Sequence, residues 1–332
     1  MLDLVRKADA RRARVVLETT DRFDFGSEEF RRLLGHARAS AFQQPEWLAA
    51  FYRHVAPAHG AEPLIVSGRD AQGELCLVLP LVRRGSHLVE YAFLGVTDYA
   101  CPIVAIDPPA DARIAFDMRQ LLGRDTRLRI GPVHQDHLQF WRSLLGTEPR
   151  TLDFGAHLVR YGSPYRDWRR GNLGPRRAAA LDRKARRLDE AGGLRLELLG
   201  PDEVPAAMIA ARDFRSGRFE DDPLQTPHGL AFYVEVATNG ARSGLTRTWR
   251  LMSGATLVAI VFGLSDGDTF RYILLGCDYA SHARYSPGRL ALDRAMASWA
   301  AEGGAAFDFT IGDEPFKAGF GCARTPMYEF QP

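Results

Sequence analysis

An internal repeat constrains this chain more than any other feature. Residues 46–95 read as a helix followed by three strands, and residues 228–276 read the same way. The first helix carries Leu48, Phe51, Tyr52 and Val55 at helical spacing behind Pro45, a residue suited to a first turn. The second carries Leu230, Phe232, Tyr233 and Val236. A shift of 181 residues (51 to 232, 77 to 258) superposes Phe51-Tyr52 on Phe232-Tyr233, and Leu77, Leu79 and Leu81 on Val258, Ile260 and Phe262. Both hairpins have turn chemistry: Asp70-Ala71-Gln72-Gly73 between strands Leu64–Ser67 and Glu74–Val82, and Asp266-Gly267 between Thr256–Leu264 and Thr269–Gly276. Two such units point to a tandem duplication. A chain of 332 residues has room for about two domains. We read them as 15–165 and 166–332, after a flexible basic arm over 1–14. Each is expected to be a mixed, mostly antiparallel sheet flanked by helices, an α/β (α+β) class.

Charge and motif arithmetic remove several functions. The net charge of +2 argues against a dedicated nucleic-acid binder, although local patches survive that average. Lys occurs only at Lys7, Lys184 and Lys317 among 43 basic residues, so Arg is the default cation and each Lys stands out. Cys76, Cys101, Cys277 and Cys322 have no CxxC spacing and read as reduced cysteines of a cytoplasmic protein. Residues 1–17 lack the apolar core of a signal peptide. The longest apolar run, Ala255–Leu264, is far short of the roughly 20 residues a spanning helix needs. No P-loop, no GxGxxG after a strand and no GxSxG elbow is present, so nucleotide-triphosphate, dinucleotide and serine-hydrolase chemistries fall away. His134-Gln135-Asp136-His137 offers metal-type ligands without a third at recognisable spacing, so no metal is expected. Cys277 with Asp278 and His282 sketches a thiol nucleophile, but Cys277 ends a hairpin strand and reads as buried.

The remaining chemistry gathers in the last third. Arg284-Tyr285-Ser286-Pro287-Gly288-Arg289-Leu290 opens an amphipathic helix whose Leu292, Met296 and Trp299 share a core face. Ser286 is a good N-cap, Pro287 a good first residue, and Gly288 would let the backbone approach a ligand closely. Backbone N–H groups at a helix start attract phosphate, with a dipole contribution of about 0.3–1 kcal/mol. Arg284 and Arg289 would add charge-assisted bonds, while plain helix capping explains Ser-Pro-Gly equally well. In the next strand, Ala305–Thr310, Asp308 is a carboxylate inside an apolar run: a base, an orienting group, or the partner of a loop hydrogen bond. Asp313 and Lys317 flank Pro315-Phe316 on a turn, where Lys317 either meets a phosphate or developing oxyanion or pairs with Asp313. In the first unit, strand Leu88–Leu94 delivers Asp98 and Tyr99 to a strand end, Tyr99 as a general acid or as a core cap. The basic helix between Arg169 and Arg187 is either a solvated face or a cradle for an anion.

Several strings, from about residue 40 to the C-terminus, carry a family resemblance. They are Phe42-Gln43-Gln44-Pro45-Glu46-Trp47, Leu79-Pro80-Leu81, Phe93-Leu94-Gly95 with Asp98-Tyr99, Tyr285-Ser286-Pro287-Gly288, Phe307-Asp308-Phe309 and Gly312-Asp313-Glu314-Pro315-Phe316-Lys317. Together they resemble the BioF2-like (CelD-like) acetyltransferases of the GNAT superfamily. Phe316-Lys317-Ala318-Gly319-Phe320-Gly321 is similar to a string of the related FemABX-type peptidyltransferases. The resemblance implies two tandem GNAT-like domains and direct transfer of an acyl group to an amine or hydroxyl. It implies acyl-CoA as co-substrate, held by Arg284, Tyr285, Ser286, Gly288 and Arg289. Asp308, Asp98, Tyr99 and Lys317 are then the catalytic candidates, and Trp47, Asp313 and Phe316 contact the acceptor, a small molecule, saccharide or envelope precursor. The chain departs from the family's Arg/Gln-x-x-Gly-x-Gly/Ala loop: the glycine stands one place later and Pro287 supplies no N–H. Two alternatives therefore stay open, an aminoacyl-tRNA-dependent transferase and a non-catalytic GNAT-fold protein of exopolysaccharide biosynthesis. The oligomeric state is not legible.

Overall fold

The computed structural model describes residues 15–105, 112–123, 125–162, 164–190 and 192–331, so the expected arm over 1–14 lies outside the described residues. The chain runs twice through one order of elements. The first pass is β1 (Val16–Thr20), α1 (Glu28–His36), α2 (Pro45–Ala50), β2 (Ala61–Arg69), β3 (Leu75–Arg84), β4 (Leu88–Tyr91), the two-residue β5 (Ile103–Val104), α3 (Ala112–Leu122), β6 (Arg127–His134), α4 (Leu138–Leu145) and β7 (Arg150–Arg160). Helices α5 (Tyr165–Leu173) and α6 (Pro175–Glu190) lead to the second pass. It comprises β8 (Leu194–Leu198), α7 (Val204–Arg215), α8 (Pro227–Ser243), β9 (Thr246–Ser253), β10 (Thr256–Asp266), β11 (Thr269–Cys277), α9 (Tyr279–His282), α10 (Pro287–Ala301), β12 (Ala306–Ile311), α11 (Pro315–Ala318) and β13 (Ala323–Phe330). In the first pass α2 runs on as a π-helix over Phe51–Val55 and a last α-helical turn at Ala56–Ala58. Apart from that continuation, short 3-10 turns, β5 and α9, each pass reads strand, two helices, three strands, helix, strand, helix, strand.

Two compact units result. One comprises the chain up to Asp153 together with the residues from Pro326, and the other is Phe154–Thr325. In the first unit β1, β2, β3 and β4 pair antiparallel in succession, and β4 pairs parallel with β6. In the second, β8, β9, β10 and β11 repeat the antiparallel series and β11 pairs parallel with β12. The strand that ends each pass is counted with the other unit: β13 adds antiparallel to β6, and β7 to β12. The division therefore falls within β7, at 153/154, and the C-terminal strand returns to the first unit. Chain order alone cannot reveal that return, because β13 reads locally like any strand that follows α11.

Local chemistry explains the elements that hold the site. Gly267, at φ +59°, closes the β10–β11 hairpin in the left-handed region that favours glycine. In α10, Leu290, Leu292, Met296 and Trp299 are buried as the helical spacing requires. They pack on Trp249, Phe270 and Phe307 in one apolar core. The first unit has its own core, with Tyr91 and Trp141 fully buried against Leu79, Leu81 and Val133. Its closing strand is fixed by charge, since Glu329 on β13 accepts from Arg129 Nε at 2.6 Å and Arg150 Nε at 2.9 Å. β4 stops at Tyr91, earlier than the sequence suggests: the Phe93 N–H turns back to the Tyr91 carbonyl at 2.6 Å, and Leu94 and Gly95 beyond it take positive φ of 35° and 81°. Among the described residues no helix is long and apolar enough to cross a membrane.

Candidate functional site

The β11–β12 pair is where the second unit opens. These parallel strands pair only from Thr269↔Ala306 to Arg271↔Asp308 and then separate. A side-chain network at the last rung accounts for the break. Asp308, buried, meets Arg271 at 2.5 Å, and its other oxygen accepts the Thr310 N–H at 2.8 Å. That bond takes a backbone donor away from the ladder and accompanies a left-handed Thr310, at φ 57°. The Thr310 hydroxyl reaches back to the Tyr272 carbonyl at 3.3 Å. Asp308, a candidate base on sequence, thus sits in a buried ion pair that shapes the strand end.

The α10 N-terminus follows β11 in the chain, after α9. Ser286 occupies the N-cap position, but the expected side-chain cap is absent. Its backbone is left-handed, at φ 54° and ψ 58°, and its Oγ accepts instead from Lys184 Nζ on α6 at 2.6 Å. A β-carbon on Gly288 would stand 2.7 Å from the Tyr279 hydroxyl and 3.0 Å from Leu275. The glycine therefore serves the packing of α10 on β11, and it is buried. Arg284 is exposed with its guanidinium 4.8 Å over the Tyr285 ring, and Tyr285 packs against the core.

Between α6 and this helix start is a pocket of about 110 Å³. Its apolar walls are Leu173, Ala180, Leu181 and Phe320; Arg177, Lys184 and Arg289 supply charge, and Ser286 and Gly319 complete the lining. No carboxylate lines it, and among the described residues no ion pair is recorded for these three cations. Three like charges beside the positive end of a helix repel one another unless an anion joins them. The residues present therefore suit a phosphate-bearing ligand with some apolar surface. Elsewhere α5 and α6 are pinned by charge satisfied within the fold. Arg169 donates to Asp293 at 2.6 Å and Asp182 at 2.9 Å, and Tyr165 donates to Asp293 at 2.7 Å. Burial raises the Tyr165 phenol well above its ordinary range, with the Asp293 charge adding to it.

Lys317 and Asp313 do not pair with each other. The Lys317 ammonium is buried and donates to the carbonyls of Ile311 at 2.6 Å and Gly312 at 2.9 Å, with Glu314 at 2.8 Å. Its donors are used to hold the end of β12. Phe316 packs on Tyr272 and Phe309, and Phe309 stacks on Phe320 at 5.3 Å. Asp313 accepts from Arg324 Nε at 3.0 Å and from His157 Nε2 at 2.7 Å. The Arg324 hydrogen bonds, then that of His157, hold its carboxyl well below the ordinary range. His157, on β7, escaped the sequence reading; the available signal was an imidazole in the apolar run Ala156-His157-Leu158-Val159.

Residues 175–318 match the family model described as an acetyltransferase (GNAT) domain. The matched segment is therefore similar to such a domain over somewhat less than half of the chain. It lies inside the second unit and contains the pocket's cations, the α10 N-terminus and the β11–β12 opening. No curated protein is detectably similar in sequence. Among solved structures, the chain is similar to L-PGS from Bacillus licheniformis, at 11% identity and a TM-score of 0.61, covering 92% of this chain and 91% of that one. FemX is similar at 11% identity and a TM-score of 0.59, covering 95% and 97%. A conserved protein of unknown function from Bacteroides thetaiotaomicron gives 9%, 0.61, 95% and 99%. At these identities the likeness is one of fold.

The remaining candidates lie outside the matched segment, in the first unit. Trp47 is fully buried, its indole N–H bonded to Thr97 at 3.0 Å, so it belongs to the core and presents no surface to an acceptor. Tyr99 is buried against Phe42, and its carbonyl accepts from Gln43 at 2.9 Å. Asp98 is partly exposed on the same segment. His134 pairs with Asp136 at 3.2 Å, and among the described residues no group of three or more His, Cys, Asp or Glu is arranged to hold a metal.

Proposed function

We propose that this protein is an acyltransferase whose GNAT domain takes the phosphate groups of an acyl-CoA at the α10 N-terminus. The observation that carries the reading is the convergence of Arg177, Lys184 and Arg289 on one carboxylate-free pocket beside that helix start. The parallel strands that separate after Arg271 and Asp308 offer the acyl arm a route between β11 and β12. Acyl transfer there rests on holding donor and acceptor together, which can contribute roughly 7–11 kcal/mol, with proton removal by a nearby base. The acceptor is an amine or hydroxyl of a small molecule, saccharide or envelope precursor, acted on in the cytoplasm. Phe316 remains a candidate on the acceptor side, and Asp308 and Lys317 act by shaping the end of β12.

The test is isothermal titration with CoA and acetyl-CoA. Lys184→Met and Arg289→Ala are each expected to raise Kd about 10–100-fold, the value of one charge-assisted hydrogen bond. Arg284→Ala, whose side chain lies over Tyr285, is expected to do less. Wild-type protein that binds neither compound would remove the acyl-CoA reading. A second reading, transfer from aminoacyl-tRNA, is favoured by exposed Arg176, Arg183, Arg186 and Arg187 on α6. It requires tRNA binding whose affinity falls steeply with salt. Absence of binding to both donors would leave the non-catalytic alternative.

A further inference from the structure

The polar cluster His157, Asp313 and Arg324 has an arrangement that strand packing does not require. Arg324 keeps Asp313 ionised, and an ionised carboxylate only accepts hydrogen bonds. The 2.7 Å contact to His157 therefore places a ring proton on Nε2, and in the neutral imidazole Nδ1 is then the acceptor. That nitrogen is buried and has no hydrogen-bond partner, in a residue 7% exposed. An unsatisfied buried acceptor costs about 1–3 kcal/mol, so its retention asks for a reason.

Its location suggests one. On β7, Leu158 pairs with Asp308 and Ala156 with Ile311, so His157 stands opposite Phe309 and Thr310, the residues skipped by the ladder. These are the residues at which β12 leaves β11. Phe309 stacks on Phe320, a wall of the cationic pocket.

We propose that His157 is the base of the transfer reaction, with Asp313 as its positioning residue. This rests on the acyl-transfer reading above. The acceptor nitrogen or oxygen bonds to the acyl carbon, the bond from that carbon to the donor's sulfur or oxygen breaks, and the acceptor's proton passes to His157 Nδ1. The leaving group then recovers a proton from that imidazolium, so no other reactant is needed. Burial keeps bulk water from competing for Nδ1, and a base poised in the resting protein tightens onto its proton only when the acceptor is bound.

Two measurements test this. Imidazole ¹⁵N shifts of the substrate-free protein are expected to show His157 protonated on Nε2, with this tautomer lost in Asp313→Asn. In the second, acetyl-CoA is offered with an aminosugar, an amino acid and a polyol, and thiol release is followed. His157→Gln should lower kcat about 10²–10⁴-fold while leaving the CoA Kd unchanged, which also shows that the variant is folded. A proton on Nδ1, or a His157→Gln kcat within threefold of an active wild type, would overturn the base assignment alone. A wild type that binds acetyl-CoA yet acylates nothing would overturn the transfer reading and the base with it.

Discussion

Removing the Lys317 ammonium separates a structural role from a chemical one. Lys317→Met keeps most of the stem in a site where the side chain is only 2% exposed. It strips the donors from the Ile311 and Gly312 carbonyls, at 2.6 and 2.9 Å. Glu314, 55% exposed, returns to water at little cost. Each stranded carbonyl costs about 1–3 kcal/mol, towards the lower end because both residues are partly exposed. Some of that is offset by no longer burying a charge. The net expectation is a loss of about 1–3 kcal/mol, or roughly 2–12 °C in Tm for a unit of this size. Urea titration should show a lower midpoint with an unchanged slope. Below the transition, kcat/KM should fall only as far as the end of β12 has moved. A variant within 0.5 kcal/mol of wild type that has lost kcat/KM would refute the structural argument and make Lys317 a group acting on the reactants. Unchanged kcat/KM would remove it from the catalytic set altogether.

Three further outcomes follow from single contacts. Ser286→Gly relieves a left-handed non-glycine residue, so Tm should stay level or rise by the equivalent of up to about 1 kcal/mol while donor affinity falls with the Lys184 contact; a clear drop in Tm would count against the strain argument. Glu329 has its carboxyl held below the ordinary range because Arg129 and Arg150 outweigh burial. Its stabilising effect is full above its unfolded pKa, near 4.5, and is lost as pH falls through the folded value. Glu329→Gln should therefore cost about 1–2 kcal/mol at pH 7 and less at pH 3; equal losses at the two pH values would contradict the linkage. Burial pushes the Cys277 and Cys322 thiols up to about 12 and Cys76 up to about 11. At pH 8 about 0.1% or less of each is thiolate, so Ellman's reagent should label them slowly until the protein is unfolded. Rapid native-state labelling of Cys277 would revive it as a nucleophile.

The sequence was most informative where local chemistry and periodicity agree. The hairpins, the Asp266-Gly267 turn and the core face of α10 appear as read, because each depends on neighbours within a few residues, whereas the first of the two repeated helices changes to a π-helix over Phe51–Val55. Readings failed where a side chain finds a distant partner. Ser286 gives up its cap for Lys184, 102 residues away. Trp47 enters the core through Thr97. Asp293 lies off the Leu292, Met296 and Trp299 face of α10, yet it is buried because Tyr165 and Arg169 come to it. Lys317 stood out because Lys is rare here, yet its partners are two backbone carbonyls that no composition or spacing can disclose.

By itself the sequence determined an α/β chain with a repeated unit and a helix that starts at Pro287, whereas the packing role of Gly288 came from the fold. Those properties are written in short-range patterns of side-chain polarity and turn residues. Only the tertiary structure decided that β13 joins the first unit's sheet and β7 pairs with β12. It also brought α6's Arg177 and Lys184 to Arg289, and Asp313 to His157, 156 residues apart. Electrostatics and hydrogen bonding act through distance in space, so the cationic pocket and the contact between His157 and Asp313 exist only once the chain has folded.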